Sequence, residues 1–335
     1  MGSPGVFFFS IFVPKRDFMK KVCSLALALL LCLSVVAQEK KALVILVDGI
    51  PYDVIQKLNP PFLSQVAAEG GMAKAYVGGE KGGASESPTI SAVGYNSMLT
   101  GTWANKHNVW GNAIKAPNYI YPTFFQLARD QKPELKLGIF STWEDNRIKL
   151  LGEGLPETNH LKMDYVFDGY ELDTVQFPHR ADRTFIRDID DLVTQKAVET
   201  IKEESPDVSW VYLEFTDDMG HKFGDSPEFH AAILHADSLI GQLYRAVSER
   251  EKGHNEDWLF IVTTDHGRDA QTGKNHGGQS ERERTTWICT NRSELNNRFE
   301  NGLAVVDILP SVCQFMDIKI PAEVKANLDG QSFLK

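Results

Sequence analysis

The chain has 335 residues, 42% of them hydrophobic and 24% charged, with 35 Lys and Arg against 45 Asp and Glu. That length and apolar fraction can fill a large core, either one domain of about 300 residues or two smaller ones. The acidic balance excludes general polyanion binding, so a nucleic acid duplex is not an expected partner, and a small anionic substrate needs positive charge supplied locally.

The N-terminus is set aside first. Met19-Lys20-Lys21 precedes an apolar run from Val22 to Val36, and Val35-Val36-Ala37 has the form of a cleavage site. Residues 1–37 therefore read as an upstream extension (1–18) followed by a signal peptide, with an uncleaved anchor as the alternative that the short apolar segment disfavours, and residues 38–335 as an exported chain, periplasmic or secreted. Cys32 follows Leu31, which is too large for the small residue that precedes a lipid-anchored cysteine. No later apolar stretch is long enough to span a bilayer. Residues 1–37 hold four Lys or Arg and one Asp, so the remainder has 31 basic against 44 acidic residues, a net charge of −13. Its two cysteines, Cys289 and Cys313, allow one disulfide at most and lack metal-ligand spacing.

In chain order, the apolar run 42–47 predicts a buried strand that ends on Asp48-Gly49. A helix is expected near 61–70, and residues 78–88, rich in Gly and Ser, form a loop. A helical stretch follows Ser91 and ends at Thr100-Gly101. A helix near 122–131 leads to a strand near 136–140. Residues 143–183 are polar and aromatic with weak periodicity, and are expected to form an insertion over the crevice. Trp143, Tyr165, Phe167, Tyr170 and Phe177 offer aromatic surface there, for a substrate or for the insertion's own packing. A helix over 184–204 precedes the strand 209–215, which runs into Asp217, with His221 four residues on. A helix over 226–249 precedes the strand 258–263, which runs into Asp265-His266-Gly267. His276, a strand near 286–290 and a helix near 305–316 complete the chain. This alternation predicts an α/β fold, a doubly wound, mainly parallel sheet with helices on both faces in a single catalytic domain.

Three predicted strands each deliver an Asp to one edge of the sheet, the edge that faces the ligand crevice in such folds. Each of Asp48, Asp217, His221, Asp265, His266 and His276 alone also reads as a turn, cap or packing residue. Together they form a set of carboxylates and imidazoles that suits zinc-like divalent ions better than an all-oxygen calcium site. Six ligands are too many for one tetrahedral ion and suit two ions sharing a substrate. Between the first two acidic strand ends, Ser91 is the candidate nucleophile, because a hydroxyl at a helix start gains from the helix dipole and from adjacent metal charge. An ordinary helix-capping serine is the competing reading, and Thr89 is the neighbouring hydroxyl.

The order Asp-Gly, a hydroxyl ten residues before Thr100-Gly101, Asp-x-x-x-His, Asp-His-Gly and a final His resembles the alkaline phosphatase superfamily, and within it the type I phosphodiesterase/nucleotide pyrophosphatase branch. The resemblance runs over roughly residues 41–335, including Asp307-Ile-Leu-Pro-Ser and Leu328-Asp-Gly-Gln-Ser. It implies an alkaline phosphatase-like fold and two divalent metal ions, zinc in the family. Asp217, His221 and His276 would hold one ion. Asp48, Asp265 and His266 would hold the other, with Ser91 Oγ as a further ligand. It also implies that Asn112, 21 positions after Ser91, contacts a phosphoryl oxygen. A turn residue after Gly111 is the plainer reading of Asn112.

There are departures from the pattern. Ser91 stands where the branch often has Thr, His107-Asn108 replaces the usual His-Gly, and His276 follows His266 by only ten residues. The segment Ser141–Arg147 lacks the Lys-x-Arg pattern of monoesterase relatives, although Arg147 alone is within possible reach of phosphate. The expected function is that of an exported two-metal phosphodiesterase acting through a phospho-Ser91 intermediate on a small phosphate ester. A phosphomonoesterase is the alternative. A sulfatase is disfavoured because Ser91 is followed by Ala-Val-Gly-Tyr rather than x-Pro-x-Arg. A metal-stabilised binding protein without turnover would need no hydroxyl at the metals, and a phosphate-transferring mutase fits poorly with export. Nothing in the sequence sets an oligomeric state.

Overall fold

β1 (Glu39–Val47) shows how the two faces of the sheet are built. Ala42, Val44 and Leu46 point into one apolar cluster and Leu43, Ile45 and Val47 into another, and all six are fully buried. A strand covered on both faces has no polar side to show, which is why its sequence is a continuous apolar run. The computed structural model describes residues 1–6 and 37–335; the signal-peptide reading lies outside the described residues. The chain divides into Met1–Gln38 and Glu39–Lys335, and the second unit carries every element below.

That unit holds a seven-stranded sheet in the order β2-β7-β6-β1-β5-β3-β4. The other strands are β2 (Gly71–Tyr76), β3 (Leu137–Ser141), β4 (Tyr165–Phe167), β5 (Val208–Leu213), β6 (Glu256–Thr263) and β7 (Thr285–Thr290). Strands β6, β1, β5, β3 and β4 are parallel to one another, and β7 alone runs against its neighbours. The helices are α1 (Tyr52–Leu58), α2 (Pro61–Glu69), α3 (Ser91–Thr100), α4 (Phe124–Gln131), α5 (Thr184–Glu203), α6 (Phe215–Phe223), α7 (Pro227–Gly253) and α8 (Ile308–Phe315), besides shorter turns. Helices α3, α4 and α8 pack on one face through Tyr95, Phe124 and Val312. Helices α5 and α7 cover the other through Ile189, Val193, Leu239 and Leu243. The predicted doubly wound, mainly parallel α/β sheet is therefore the fold.

Two strands escaped the sequence reading. β2 (GMAKAY) has no apolar run because it is a half-exposed edge strand. β4 lies within 143–183, so this stretch is not only a cover but extends the sheet. There Phe167 stacks on Phe140 at 5.4 Å and Tyr170 meets Phe177 edge-on at 6.0 Å. These aromatics, with Tyr165, pack into the core, so only Trp143 of the five reaches the cavity described below. The predicted strand 209–215 stops at Leu213, and α6 begins at Phe215. Cys289 and Cys313 are free, buried thiols. Among the described residues no helix is long and apolar enough to cross a membrane.

Candidate metal centre

β6, β1 and β5 are adjacent and parallel. Neighbouring strands lie about 4.8 Å apart, so acids placed just beyond their C-terminal ends must converge. Asp48 follows β1, Asp265 follows β6, and Asp217 lies one turn into the helix that follows β5. The placement has local causes. Gly49 turns the chain out of β1 at φ +66°, a conformation that L side chains rarely adopt, and a Cβ there would lie 2.5 Å from Asp217 Oδ1. Its N–H donates to Asp265 Oδ1 at 3.0 Å. α6 has no capping side chain of its own. Asp190 of α5 accepts from the Glu214 and Phe215 N–H groups at 3.0 and 2.9 Å and so satisfies donors at the helix start. This fixes the helix that carries Asp217 and His221 at i, i+4, on one face.

The candidate ligands form two neighbouring sets. The donor atoms of Asp217, His221 and His276 lie within 4.8 Å of one another, and so do those of Asp48, Asp217 and His266. Asp265 joins the second set, with Oδ2 at 3.1 Å from His266 Nε2. All six residues named from the sequence therefore meet in one place. Both buried imidazoles are oriented alike. His266 Nδ1 lies 2.9 Å from the Gly267 carbonyl and His276 Nδ1 lies 2.9 Å from the Thr89 carbonyl, so each Nδ1 donates. Each Nε2 then keeps its lone pair for the site, the usual arrangement behind a metal-binding histidine. His276 Nε2 is 3.0 Å from His221 Nε2 and 3.8 Å from Asp217 Oδ1.

The donor set passes a test of fit to divalent cations. Asp48 Oδ1 and Asp265 Oδ2 are buried polar atoms without a hydrogen-bond partner. Asp48 Oδ2, in contrast, accepts from Tyr212 at 2.8 Å and from Tyr95. Burial, then Asp265 and Asp217, push the Asp48 carboxyl well above its ordinary range. Burial raises Asp265 to about 7. Burial lowers His266 and His276, which favours their neutral forms, whereas the Asp217 hydrogen bond raises His221. Carboxylates crowded in a dry site with imidazole lone pairs aimed at them form a cavity for positive charge.

Arg268 is the residue that the sequence reading missed. Its guanidinium is fully buried and donates to the Gly49, Lys274 and Asp217 carbonyls at 2.9, 3.1 and 2.8 Å, and to the Asp217 carboxylate. It ties the β1 loop, α6 and the His276 loop together. Burial alone would raise Asp217, but Arg268 and His221 outweigh it and hold the carboxyl below its ordinary value. Gly220 makes room, since a Cβ there would lie 2.2 Å from the Arg268 Cζ. Tyr95 and Tyr212 were missed too. Tyr95 stands one turn after Ser91, which was a usable signal; the inward face of Tyr212 was not legible.

Ser91 is the first residue of α3, and Ile90 takes the capping position without a side-chain bond. The capping reading of Ser91 is thereby corrected. Its Oγ lies 3.5 Å from His266 Nε2, at the wall of a cavity of about 250 Å³. Thr89 is committed elsewhere, donating to the Gly278 carbonyl at 3.0 Å and accepting from Gly277 N–H at 2.9 Å. Asn112 lines the same cavity and is more than a turn residue: its Oδ1 accepts from Ala92 N–H at 3.0 Å, which leaves the Nδ2 hydrogens free to donate. Arg147 does not serve the site. It is bound to Asp168 at 2.7 and 2.9 Å, to Glu153 at 2.7 Å and to Glu144 at 3.2 Å. Asp145 pairs with Lys149 at 2.7 Å, so the acids of that segment are compensated. His107 is structural, buried with Nε2 3.1 Å from Ser97 Oγ and its Nδ1 accepting from Val109 N–H at 3.1 Å.

The fold and this site define an alkaline phosphatase-like α/β protein with a candidate metal centre beside a helix-borne serine. Comparison with known sequences narrows the class: the type I phosphodiesterase / nucleotide pyrophosphatase family matches residues 42–323, and the chain belongs to it. Among solved structures, murine ectonucleotide pyrophosphatase / phosphodiesterase 5, an inactive form in complex with AMP, superposes with TM-score 0.58 at 14% identity, over 84% of this chain and 96% of that one. A 2-O GAG sulfatase gives TM-score 0.61 at 14% identity, over 88% and 73%. These are likenesses of fold. GPI ethanolamine phosphate transferase 2 of Schizosaccharomyces pombe is 29% identical over 121 residues, 31% of this chain and 16% of that protein. The match therefore spans under a fifth of that relative's length. Both hydrolases and transferases of phosphate esters share this framework.

Proposed function

We propose that the chain is an exported, two-metal phosphodiesterase that works through a covalent phospho-Ser91 intermediate. The observation that carries this reading is the Ser91 hydroxyl, 3.5 Å from His266 Nε2, beside three carboxylates and three imidazoles, with one buried oxygen of Asp48 and one of Asp265 lacking a hydrogen-bond partner. Asp217, His221 and His276 would hold one divalent ion, and Asp48, Asp265, His266 and Ser91 Oγ the other, with zinc best suited to that donor set. When bound, the ions supply positive charge that lowers the hydroxyl pKa and stabilises charge on the phosphoryl group.

The protein's own groups do the rest. Asn112 Nδ2 donates to a non-bridging phosphoryl oxygen, its amide fixed by Ala92. Ser91 sits at the N-terminus of α3, whose dipole favours the alkoxide. The hydroxyl proton leaves to solvent, Oγ forms a bond to phosphorus, and the bond to the leaving oxygen breaks. In the second half, water attacks the phosphoserine and Ser91 Oγ departs. Among the described residues no Lys or Arg lines the cavity, so a monoester dianion finds no extra cationic donor there, and a diester monoanion suits it better. Export rests on the basic and apolar segments at 19–37. A second reading, transfer of the phosphoryl group to an alcohol in place of water, is favoured by the likeness to the ethanolamine phosphate transferases.

The test is a rate panel of aryl monophosphate, aryl phosphodiester and aryl sulfate on zinc-loaded protein, with an added alcohol in one arm. The expectation is a diester preference, with trapped phosphate on Ser91. A tenfold monoester preference, about 1.4 kcal/mol in the barrier, makes it a phosphatase. Phosphate on Thr89, or an active Ser91→Ala protein, overturns the mechanism, and phosphoryl-alcohol as the main product selects the transferase reading.

A further inference from the structure

A second cavity, of about 740 Å³, lies between α8 and the stretch of chain that follows it, residues 318–332. This stretch is clasped at both ends. At the near end, Ile318 N–H donates to the Cys313 carbonyl at 2.8 Å. The Gln131 side chain grips the backbone N–H and carbonyl of Lys319, at 2.9 and 2.5 Å. At the far end, the Asp329 and Gly330 N–H groups donate to the Gly101 carbonyl at 3.0 and 3.2 Å, and Gln331 N–H donates to Asp307 Oδ1 at 2.7 Å. Gly330 is pressed so close that a Cβ would lie 2.0 Å from the Val306 carbonyl oxygen. Between the clasps, the helical turn Ala322–Lys325 buries no residue. The cavity is therefore held open by hydrogen bonds at its two ends rather than left by loose packing. Gly101 caps the C-terminal end of α3, ten residues after Ser91, roughly 15 Å along the helix. That distance separates the cavity from the candidate metal centre.

The walls have a definite chemistry. Pro310, Ile318, Ile320, Ala322 and Leu328 supply aliphatic surface. Lys319 and Lys325 are exposed at the rim, and neither ammonium has an acid partner among the described residues. Among those residues no acid lines the cavity, in a chain whose formal charge is −10. The volume falls within the range of about 300 to 1,000 Å³ that small ligands fill. Lysine joins an alkyl stem to a charged head, so the same residues serve a ligand's apolar part and its charge. We propose that this cavity binds a single-chain anionic amphiphile, an unbranched alkyl chain ending in a carboxylate. The chain lies among the aliphatic residues, and the carboxylate sits at Lys319 and Lys325. A cavity walled by α8 and the clasped stretch takes one alkyl chain and not a bilayer surface, so the occupant is a monomer. The site goes beyond the phosphodiesterase reading and does not rest on it.

The test is a binding measurement, independent of turnover. Octanoate, decanoate and dodecanoate, each below its micelle concentration, are titrated calorimetrically into zinc-loaded protein freed of excess zinc. Affinity is expected to rise roughly tenfold with each added pair of methylenes, as burial of alkyl surface requires. Dodecyltrimethylammonium carries the same chain with the opposite charge. It is expected to bind at least about tenfold more weakly than dodecanoate, although the protein's net charge favours it. Ala322→Trp fills the cavity from an exposed turn and should weaken dodecanoate at least about tenfold. Lys319→Gln combined with Lys325→Gln should cut the preference for the carboxylate to about threefold or less. Four results each overturn the proposal: no saturable dodecanoate binding below about 1 mM, an affinity indifferent to chain length, equal or tighter binding of the ammonium, or undiminished binding in Ala322→Trp. If the variants do not fold, the length series and the charge comparison in the unaltered protein still decide.

Discussion

Replacing Arg268 with Met should destabilise the metal-free protein far more than the metal-loaded one. The guanidinium is fully buried and bonds to three carbonyls and the Asp217 carboxylate. Met keeps the hydrocarbon near the Phe229 ring, which the guanidinium overlies at 5.5 Å, and removes only charge and donors. Breaking one side of a buried pair costs about 3–5 kcal/mol, because the remaining charge is left uncompensated. Stranded buried carbonyls cost about 1–3 kcal/mol each unless water reaches them. A loss of at least about 4 kcal/mol, the ion-pair contribution alone, is therefore expected, a drop in Tm of at least roughly 8–16 °C at about 2–4 °C per kcal/mol. A bound cation takes over the neutralisation of Asp217, so about half of that loss should remain with saturating zinc. Urea unfolding with and without zinc measures both values. A loss below about 1 kcal/mol without metal, or an equal loss in both states, would refute the idea that Arg268 compensates this charge.

Chelation should abolish turnover and lower the unfolding midpoint, and zinc should restore both; full activity on every phosphate ester after chelation removes the two-metal reading. Asp265→Asn keeps an acceptor for Gly49 N–H and removes a crowded charge, so metal-free stability should stay within about 1 kcal/mol while zinc affinity and activity fall at least a hundredfold. Calorimetric zinc titration and unfolding curves separate the two effects, and a variant that loses stability but not zinc contradicts the assignment. Burial lowers His107 from 6.5 to about 3. Between those pH values the unfolded chain takes a proton that the folded chain refuses, so stability should fall as pH drops through the window, by about 1.4 kcal/mol per unit. His107→Gln should flatten that slope in denaturation curves from pH 6.5 to 4, and an unchanged slope would show that other groups govern acid sensitivity.

The parts of the fold legible in the sequence were those whose burial is complete. β1, β5 and β6 are covered on both faces and betray themselves as apolar runs, and the acids beyond them are visible because the chain turns polar there at once. β2 and β4 carry no such signal, since an edge strand mixes exposed and buried positions and β4 has only three residues. The candidate ligands share chemistry and position, so pattern alone could collect them. Arg268 was not found because a buried arginine looks in sequence like any surface one, and its partners are separated from it by up to 219 residues. Asp190 was hidden likewise. It reads as one acid of a charged helix, yet it caps α6 from across the sheet face.

These residues explain why the centre should be both a site and a weak point. Carboxylates about 5 Å apart repel by roughly 3 kcal/mol at an effective dielectric of about 20. Asp48, Asp217 and Asp265 come from neighbouring strand ends and make three such charges, and Arg268 cancels one. The unfolded chain separates the other two freely. The folded chain must protonate them or surround them with cations, and burial displaces Asp48 and Asp265 upward, in the direction of protonation. Protonation spoils them as ligands, so cation binding competes with protons at those oxygens and strengthens as pH rises through the displaced range. The unfavourable energy of packing three acids at one sheet edge thus favours positive charge there. A sheet that replaced them with neutral side chains would fold more readily without metal and, on the proposed mechanism, would lose its means of activating Ser91.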